Sequence, residues 1–209
     1  MAVILAFGDS ITYGSWSSVD TSWCSLLRSH MDKKFNGNYA SYGRVYNLGI
    51  GGETTNEAIK RFGVETQVRL RGEEEIVFII AYGANDACFV PLEKQFKVTA
   101  EKFKKNIEQM VTEAKQVSSK IILLNIIPVV DESNFDSEQI RANKYYEPYN
   151  QQLTQIAQNN SLTLVDANAA FQKTDYANLL VEDGLHPNKK GHQLIYDLIS
   201  KEVDKLLDK

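Results

Sequence analysis

Cysteine is scarce: Cys24 and Cys88 are the two in 209 residues. They lie far apart and fall in no CxxC or Cys/His spacing, so neither a zinc site nor a disulfide framework is indicated; both are expected as reduced, partly buried thiols. Positive charge is also short, with 23 Lys and Arg against 27 Asp and Glu, a net charge of -4 and no basic run. Nothing in that balance anticipates a phosphate backbone, so nucleic acid is not expected as a partner. Long apolar runs are missing too. Met1 to Phe7 is apolar, but it has no basic n-region, and Asp9 interrupts it before an h-region of ~7–15 residues can form, so no signal peptide is expected. No stretch approaches the ~18 apolar residues that span a bilayer, which implies no stable membrane insertion and a cytoplasmic chain. Hydrophobic residues at 43% and charged residues at 24% fit a soluble globule and exclude disordered and fibrous classes. With no repeat, low-complexity tract or linker, one domain spanning residues 1–209 is expected.

Five short runs are rich in branched apolar residues: Ala2 to Phe7, Val45 to Ile50, Ile76 to Tyr82, Lys120 to Ile127 and Leu162 to Asp166. They read as strands mostly buried on both faces. Helical spacing lies between them. The clearest stripe is Phe96, Ala100, Phe103, Ile107, Met110, Val111, Ala114 and Val117; another is Leu194, Ile195, Leu198, Ile199, Val203 and Leu206. Trp23 to Met31 and Tyr146 to Ile156 add two more, and Thr54-Thr55-Asn56-Glu57 has the form of a capping box. Alternating strands and crossover helices require a parallel sheet covered on both faces, a three-layer α/β/α arrangement. Pro128 to Lys144 is a polar insertion expected as a loop or lid, and Glu73-Glu74-Glu75 as a solvated turn.

In open parallel sheets ligands bind beyond the carboxyl ends of the strands. Gly8-Asp9-Ser10-Ile11-Thr12 follows the first strand, Gly51-Gly52-Glu53-Thr54 the second, and Gly83-Ala84-Asn85-Asp86 the third; Asp183-Gly184-Leu185-His186-Pro187 lies near the C-terminus. Taken singly, each is also what a turn requires. Together they hold a hydroxyl nucleophile, an imidazole base, a carboxylate to orient it and donors for an oxyanion, the parts of acyl transfer. Thr12 stands where a GxSxG nucleophile elbow would carry glycine, which argues against the α/β-hydrolase fold. His30 falls in a helical pattern and His192 near the start of the last helix, and both are expected to be structural or solvated; Asp9 and Asp86 are expected to stabilise turns.

These four blocks resemble those of the SGNH, or GDSL-type, hydrolases, in the family's order and over nearly the whole chain. The resemblance implies a flavodoxin-like fold with a five-stranded parallel sheet in the order 2-1-3-4-5. It also implies a serine esterase acting through an acyl-enzyme, with Ser10, His186 and Asp183 as the triad and no cofactor or metal. The oxyanion would be held by the Ser10 and Gly52 N-H groups and the Asn85 amide. The substrate expected is a small-molecule ester: short-chain acyl, lysophospholipid or acetylated carbohydrate. Cys88, Phe89, Ile127 and Pro128 follow strands three and four and are candidates for its pocket. Two other readings stay open at this point. One is a metal-dependent phosphoester hydrolase built on Asp9, Asp86, Asp183 and His186. The other is a flavodoxin-like binding module using Gly49 to Gly52 as a phosphate cradle. Oligomeric state is not encoded in any recognisable pattern.

Overall fold

Residues branched at Cβ pack well on a pleated surface covered on both sides, and five runs rich in them form the main sheet. In the computed structural model, which describes residues 1–35, 37, 43–72, 74–130 and 138–207, these are β1 (Ala2–Gly8), β2 (Gly43–Gly49), β3 (Glu75–Ala81), β6 (Ile121–Leu124) and β7 (Thr163–Val165). All pair in parallel, in the order β2-β1-β3-β6-β7. This is the expected 2-1-3-4-5 order, renumbered because a small antiparallel hairpin, β4 (Phe89–Val90) with β5 (Gln95–Phe96), intervenes in the chain.

Side chains alternate across a strand, so each strand feeds two cores. On one face Ile4, Ala6, Val77, Ile79 and Ile122 pack against α2 (Trp23–Phe35), α6 (Ala167–Gln172) and α7 (Lys189–Leu207), through Trp23, Leu27, Phe171, Ile195 and Ile199. On the other, Val3, Leu5, Phe7, Phe78 and Leu123 meet α3 (Thr55–Gln67), α4 (Ala100–Lys115) and α5 (Asn143–Asn160), through Phe62, Phe103, Met110 and Leu153. The fold is therefore the three-layer α/β/α arrangement of the SGNH type. Tyr146 and Tyr149 are buried, and the Tyr149 hydroxyl donates to Val98 O at 2.5 Å. Among the described residues no helix is long and apolar enough to cross a membrane.

Several local expectations change. β6 stops at Leu124 rather than Ile127 because side chains occupy the backbone beyond it: Ile126 N-H donates to Asn150 Oδ1 at 2.8 Å, and Ile126 O accepts from Asn168 Nδ2 at 2.8 Å. Phe96, assigned by spacing to the α4 stripe, sits in the hairpin, its ring 5.4 Å from that of Phe89. The acidic turn before β3 is not simply solvated. Glu74 is largely buried against Arg44, and Glu75 opens β3 and pairs with Lys120 at 3.2 Å; Glu73 lies outside the described residues. Of the polar insertion, residues 131–137 also lie outside them. Its start is anchored: the Asn143 amide brackets Val129, and Val130 N-H donates to Gly184 O at 2.8 Å. His30 joins α2 to α7 through Asp204 (3.0 Å), and both cysteines are buried and outside any disulfide.

The end of β2 meets the turn after β1 at Gly49, where an added Cβ would lie 2.2 Å from Tyr13 N and 2.8 Å from Asp9 O. Both neighbours are backbone, so neither can swing away. Gly49→Ala should therefore cost roughly 1–3 kcal/mol of stability or more. Urea unfolding tests this: an unchanged midpoint would mean that the contact is not tight.

Candidate active site

The end of β1 sets the position of Ser10. Asp9 caps a single helical turn, α1 (Ser10–Tyr13), its carboxylate accepting the Ile11 N-H at 2.9 Å, and Gly14, at φ 93°, closes the turn. From β2, the Asn47 amide donates to Thr12 O (2.9 Å) and Tyr13 O (3.2 Å), so the neighbouring strand holds the other end of the same turn. Ser10 is left at its first position with the hydroxyl partly exposed.

Asp183 and His186 share a loop that is bonded to itself at nearly every residue. Asp183 Oδ1 accepts the N-H groups of Leu185 and His186, each at 2.8 Å; Val181 N-H donates to His186 O, and Gly184 takes φ 65°. The Asn188 amide fastens the following segment to Asn178 O and Leu180 O. This leaves the other Asp183 oxygen 2.6 Å from His186 Nδ1, while His186 Nε2 lies 2.8 Å from Ser10 Oγ. Three side chains separated by up to 176 residues thus form one hydrogen-bonded line. With the carboxylate at Nδ1, the ring carries its proton there, and Nε2 is free to accept from the hydroxyl.

The other two predicted loops flank Ser10 because β1 runs between their strands. Gly52 has φ 76°, a conformation natural to glycine, and an added Cβ would meet nothing within 4 Å, so its surface is open. Asn85 is buried, and its Nδ2 donates to Glu53 O at 3.1 Å, which ties the third loop to the second and leaves one amide hydrogen for a ligand. Among the described residues neither the Ser10 nor the Gly52 N-H has an acceptor. Two unsatisfied backbone donors and an amide donor therefore belong to the loops around the hydroxyl.

Asp9 and Asp86 do structural work. Asp86 accepts the Thr55 N-H (3.0 Å) and hydroxyl at the start of α3, and Asn106 of α4 donates to the same hydroxyl at 2.9 Å. Burial pushes Asp9 up to about 7, opposed by the bond from Ile11, and Asp86 up to about 6, opposed by Thr55. Burial, together with repulsion from His186, lowers His192 to about 4; its Nδ1 accepts the Trp23 N-H at 3.3 Å. The alternative metal grouping is not assembled: among the described residues no three His, Cys, Asp or Glu side chains could hold an ion.

Of the pocket candidates, Cys88 and Ile127 are fully buried and Phe89 is partly buried against Phe96 and Tyr145. Pro128 is buried as well. Sequence reasoning missed an open groove of about 540 Å³ beside Asp183, lined by Trp16, Val181 and Glu182. Trp16 is 71% exposed at φ 63°. A large aromatic so soon after Ser10 was the available signal.

Residues 6–194 match the profile of the GDSL-like Lipase/Acylhydrolase family. The chain is 26% identical to an acetylxylan esterase of Geobacillus stearothermophilus, over 96% of this chain and 93% of that protein. It is 25% identical to the uncharacterized lipoprotein YqeF of Bacillus subtilis (strain 168), over 93% and 86%. Among solved structures, the lipase/acylhydrolase from Enterococcus faecalis superposes with a TM-score of 0.79 at 24% identity, covering 99% of this chain and 97% of that one.

The buried Asp9 carboxyl has a consequence for stability. Its folded value, about 7, lies above the ordinary 3.8, so between those values the folded chain holds a proton that the unfolded chain does not. That contribution is fully present below the unfolded value and is lost as pH rises through the folded one. Asp9→Asn keeps an acceptor for Ile11 N-H and removes the titration. Its stability relative to wild type should therefore improve between about pH 5 and about pH 8. A pH-independent difference in urea unfolding would contradict this.

Proposed function

Since the chain belongs to the GDSL-like lipase/acylhydrolase family, and is accordingly a carboxylic ester hydrolase, we propose that it is a serine esterase with Ser10 as nucleophile, His186 as general base and Asp183 as the carboxylate orienting it. The observation that carries this reading is the unbroken line from Ser10 Oγ through both nitrogens of His186 to Asp183. As Ser10 Oγ attacks the ester carbonyl, its proton passes to His186 Nε2, and the imidazolium is stabilised by Asp183. The carbonyl oxygen becomes an oxyanion facing the Ser10 and Gly52 N-H groups and the Asn85 amide, donors already in place before charge develops. Collapse breaks the bond to the alcohol, which leaves with the proton from His186. Water, deprotonated by the same ring, then attacks the acyl-enzyme and regenerates Ser10.

For the substrate we infer a short acyl group on a polar alcohol, with an acetylated sugar favoured over a lysophospholipid. Two things support this. The groove beside Asp183 is lined by the exposed Trp16 and by Glu182, and an aromatic side chain near a polar acceptor suits a sugar ring. The acetylxylan esterase to which the chain is similar works on an acetylated polysaccharide.

Turnover of p-nitrophenyl acetate, a longer p-nitrophenyl ester and an acetylated xyloside should fall off with acyl length and be retained on the sugar. Ser10→Ala should reduce kcat by up to ~10⁶-fold without unfolding the protein, as nucleophile loss does in serine hydrolases. Asp183→Asn should cost up to ~10⁴, because an amide favours the wrong imidazole tautomer. Near-normal kcat/KM in either variant would place the chemistry on another residue.

A further inference from the structure

Glu53 follows the Gly52 turn and is buried, although neither the proton relay nor the apolar core calls for a charge there. Its carboxylate accepts a two-pronged contact from Arg61 on α3, with Nε at 2.7 Å from Oε1 and Nη2 on Oε2, and accepts the Tyr82 hydroxyl at 2.7 Å. Arg61 also donates to Leu48 O near the end of β2 (2.6 Å) and to the Tyr82 oxygen (3.0 Å), and its guanidinium lies 5.6 Å from the centre of the Phe7 ring on β1. One side-chain cluster therefore grips the ends of three adjacent strands. The Glu53 backbone has its own part, since its carbonyl is the acceptor for Asn85 Nδ2 at 3.1 Å.

We propose that Glu53, clamped by Arg61 and Tyr82, is a positioning residue for the oxyanion-binding donors; the inference rests on the roles given above to Gly52 and Asn85. The geometry acts at two points. A planar guanidinium fork fixes the carboxylate in direction as well as distance, and so fixes the backbone into which the Gly52 N-H is built. The Glu53 carbonyl accepts only from the nitrogen of the Asn85 amide, so it decides which end of that amide is presented; a flipped amide would offer its oxygen to the oxyanion and repel it. Replacing a buried ion pair by apolar side chains is often neutral or stabilising, so stability alone is a weak reason for this one. Misplacement of a catalytic group by about 1 Å can cost ~10²-fold in rate, which is a sufficient one.

The test compares Glu53→Gln, Tyr82→Phe and Asn85→Ala with wild type for kcat, KM, melting temperature and the Kd of phenylboronic acid, which forms a tetrahedral adduct on a serine hydroxyl. Glu53→Gln should lower kcat roughly 10- to 100-fold with KM within about twofold, and weaken boronate binding by a similar factor. Tyr82→Phe removes the hydroxyl's two hydrogen bonds, to Glu53 and from Arg61, and should cost roughly fivefold in kcat with the same KM. It also decides the matter if Glu53→Gln does not fold. A purely structural role would shift the melting temperature and leave kcat and boronate affinity where they were, and that result overturns the proposal. A change confined to KM would overturn it as well, by making Glu53 a substrate contact. If Asn85→Ala loses kcat while the Glu53 and Tyr82 variants stay within twofold of wild type, only this inference fails. If Asn85→Ala keeps its kcat, the oxyanion reading fails and the inference falls with it.

Discussion

β1 is paired in parallel along its whole length with β2 on one side and β3 on the other, and it ends level with both, Gly8 opposite Gly49 and Ala81. Parallel strands that stop at one level release their chains at one edge, so the loops with Ser10, Gly52 and Asn85 emerge side by side. The junction tolerates no extra atom. A Cβ on Gly8 would lie 2.8 Å from Ala81 O, and one on Gly49 would strike the backbone of the Ser10 turn. Side-chain bonds then lock the loops in pairs: Asn47 of β2 to α1, Asp86 to Thr55, and Asn85 to Glu53. The DxxH loop comes from the far end of the chain and needs only to reach Ser10 with a ring nitrogen, which its dense internal bonding lets it do without relying on the sheet.

Several buried polar groups around this edge are matched to a backbone group, an opposite charge or another polar side chain, so that desolvation is offset locally. Glu53 has Arg61 and Tyr82, Asp86 has Thr55, and Asn125 bridges β6 and β7 by donating to Asp166 at 2.7 Å. Asp9 is less fully matched. Its carboxyl has one short contact, to Ile11, and burial raises it to about 7, so it serves as a cap next to Ser10 at some cost to stability in neutral solution. The imbalance sits beside Ser10, where the strand must turn abruptly into α1.

The strands and long helices were legible because each has a strong period: β1 and β3 are continuous apolar runs, and the α4 stripe from Phe103 to Ala114 is buried as its spacing implies. The four loop blocks were legible because their residue types are jointly demanding, and His186 does lie within hydrogen-bond distance of both Ser10 and Asp183. Short elements carry no period, so the β4–β5 hairpin and α6 escaped notice. Partners distant in sequence escaped for another reason. Nothing local distinguishes Arg61 from any other helical arginine or Tyr82 from a strand-end aromatic, and only the register of β2 and β3 against β1 brings both to Glu53. The groove beside Asp183 was missed because Trp16 and Glu182 come from opposite ends of the chain.

The central claim is that three loops released at one sheet edge surround a single oxygen bound to the carbon that Ser10 attacks. A crystal structure of the protein after reaction with a small fluorophosphonate tests it most directly. The account predicts a covalent bond from Ser10 Oγ to phosphorus, with the phosphonyl oxygen ~2.7–3.1 Å from Ser10 N, Gly52 N and Asn85 Nδ2 and with His186 beside the ester oxygen. A phosphonyl oxygen turned to solvent, or held by groups outside these loops, would contradict it.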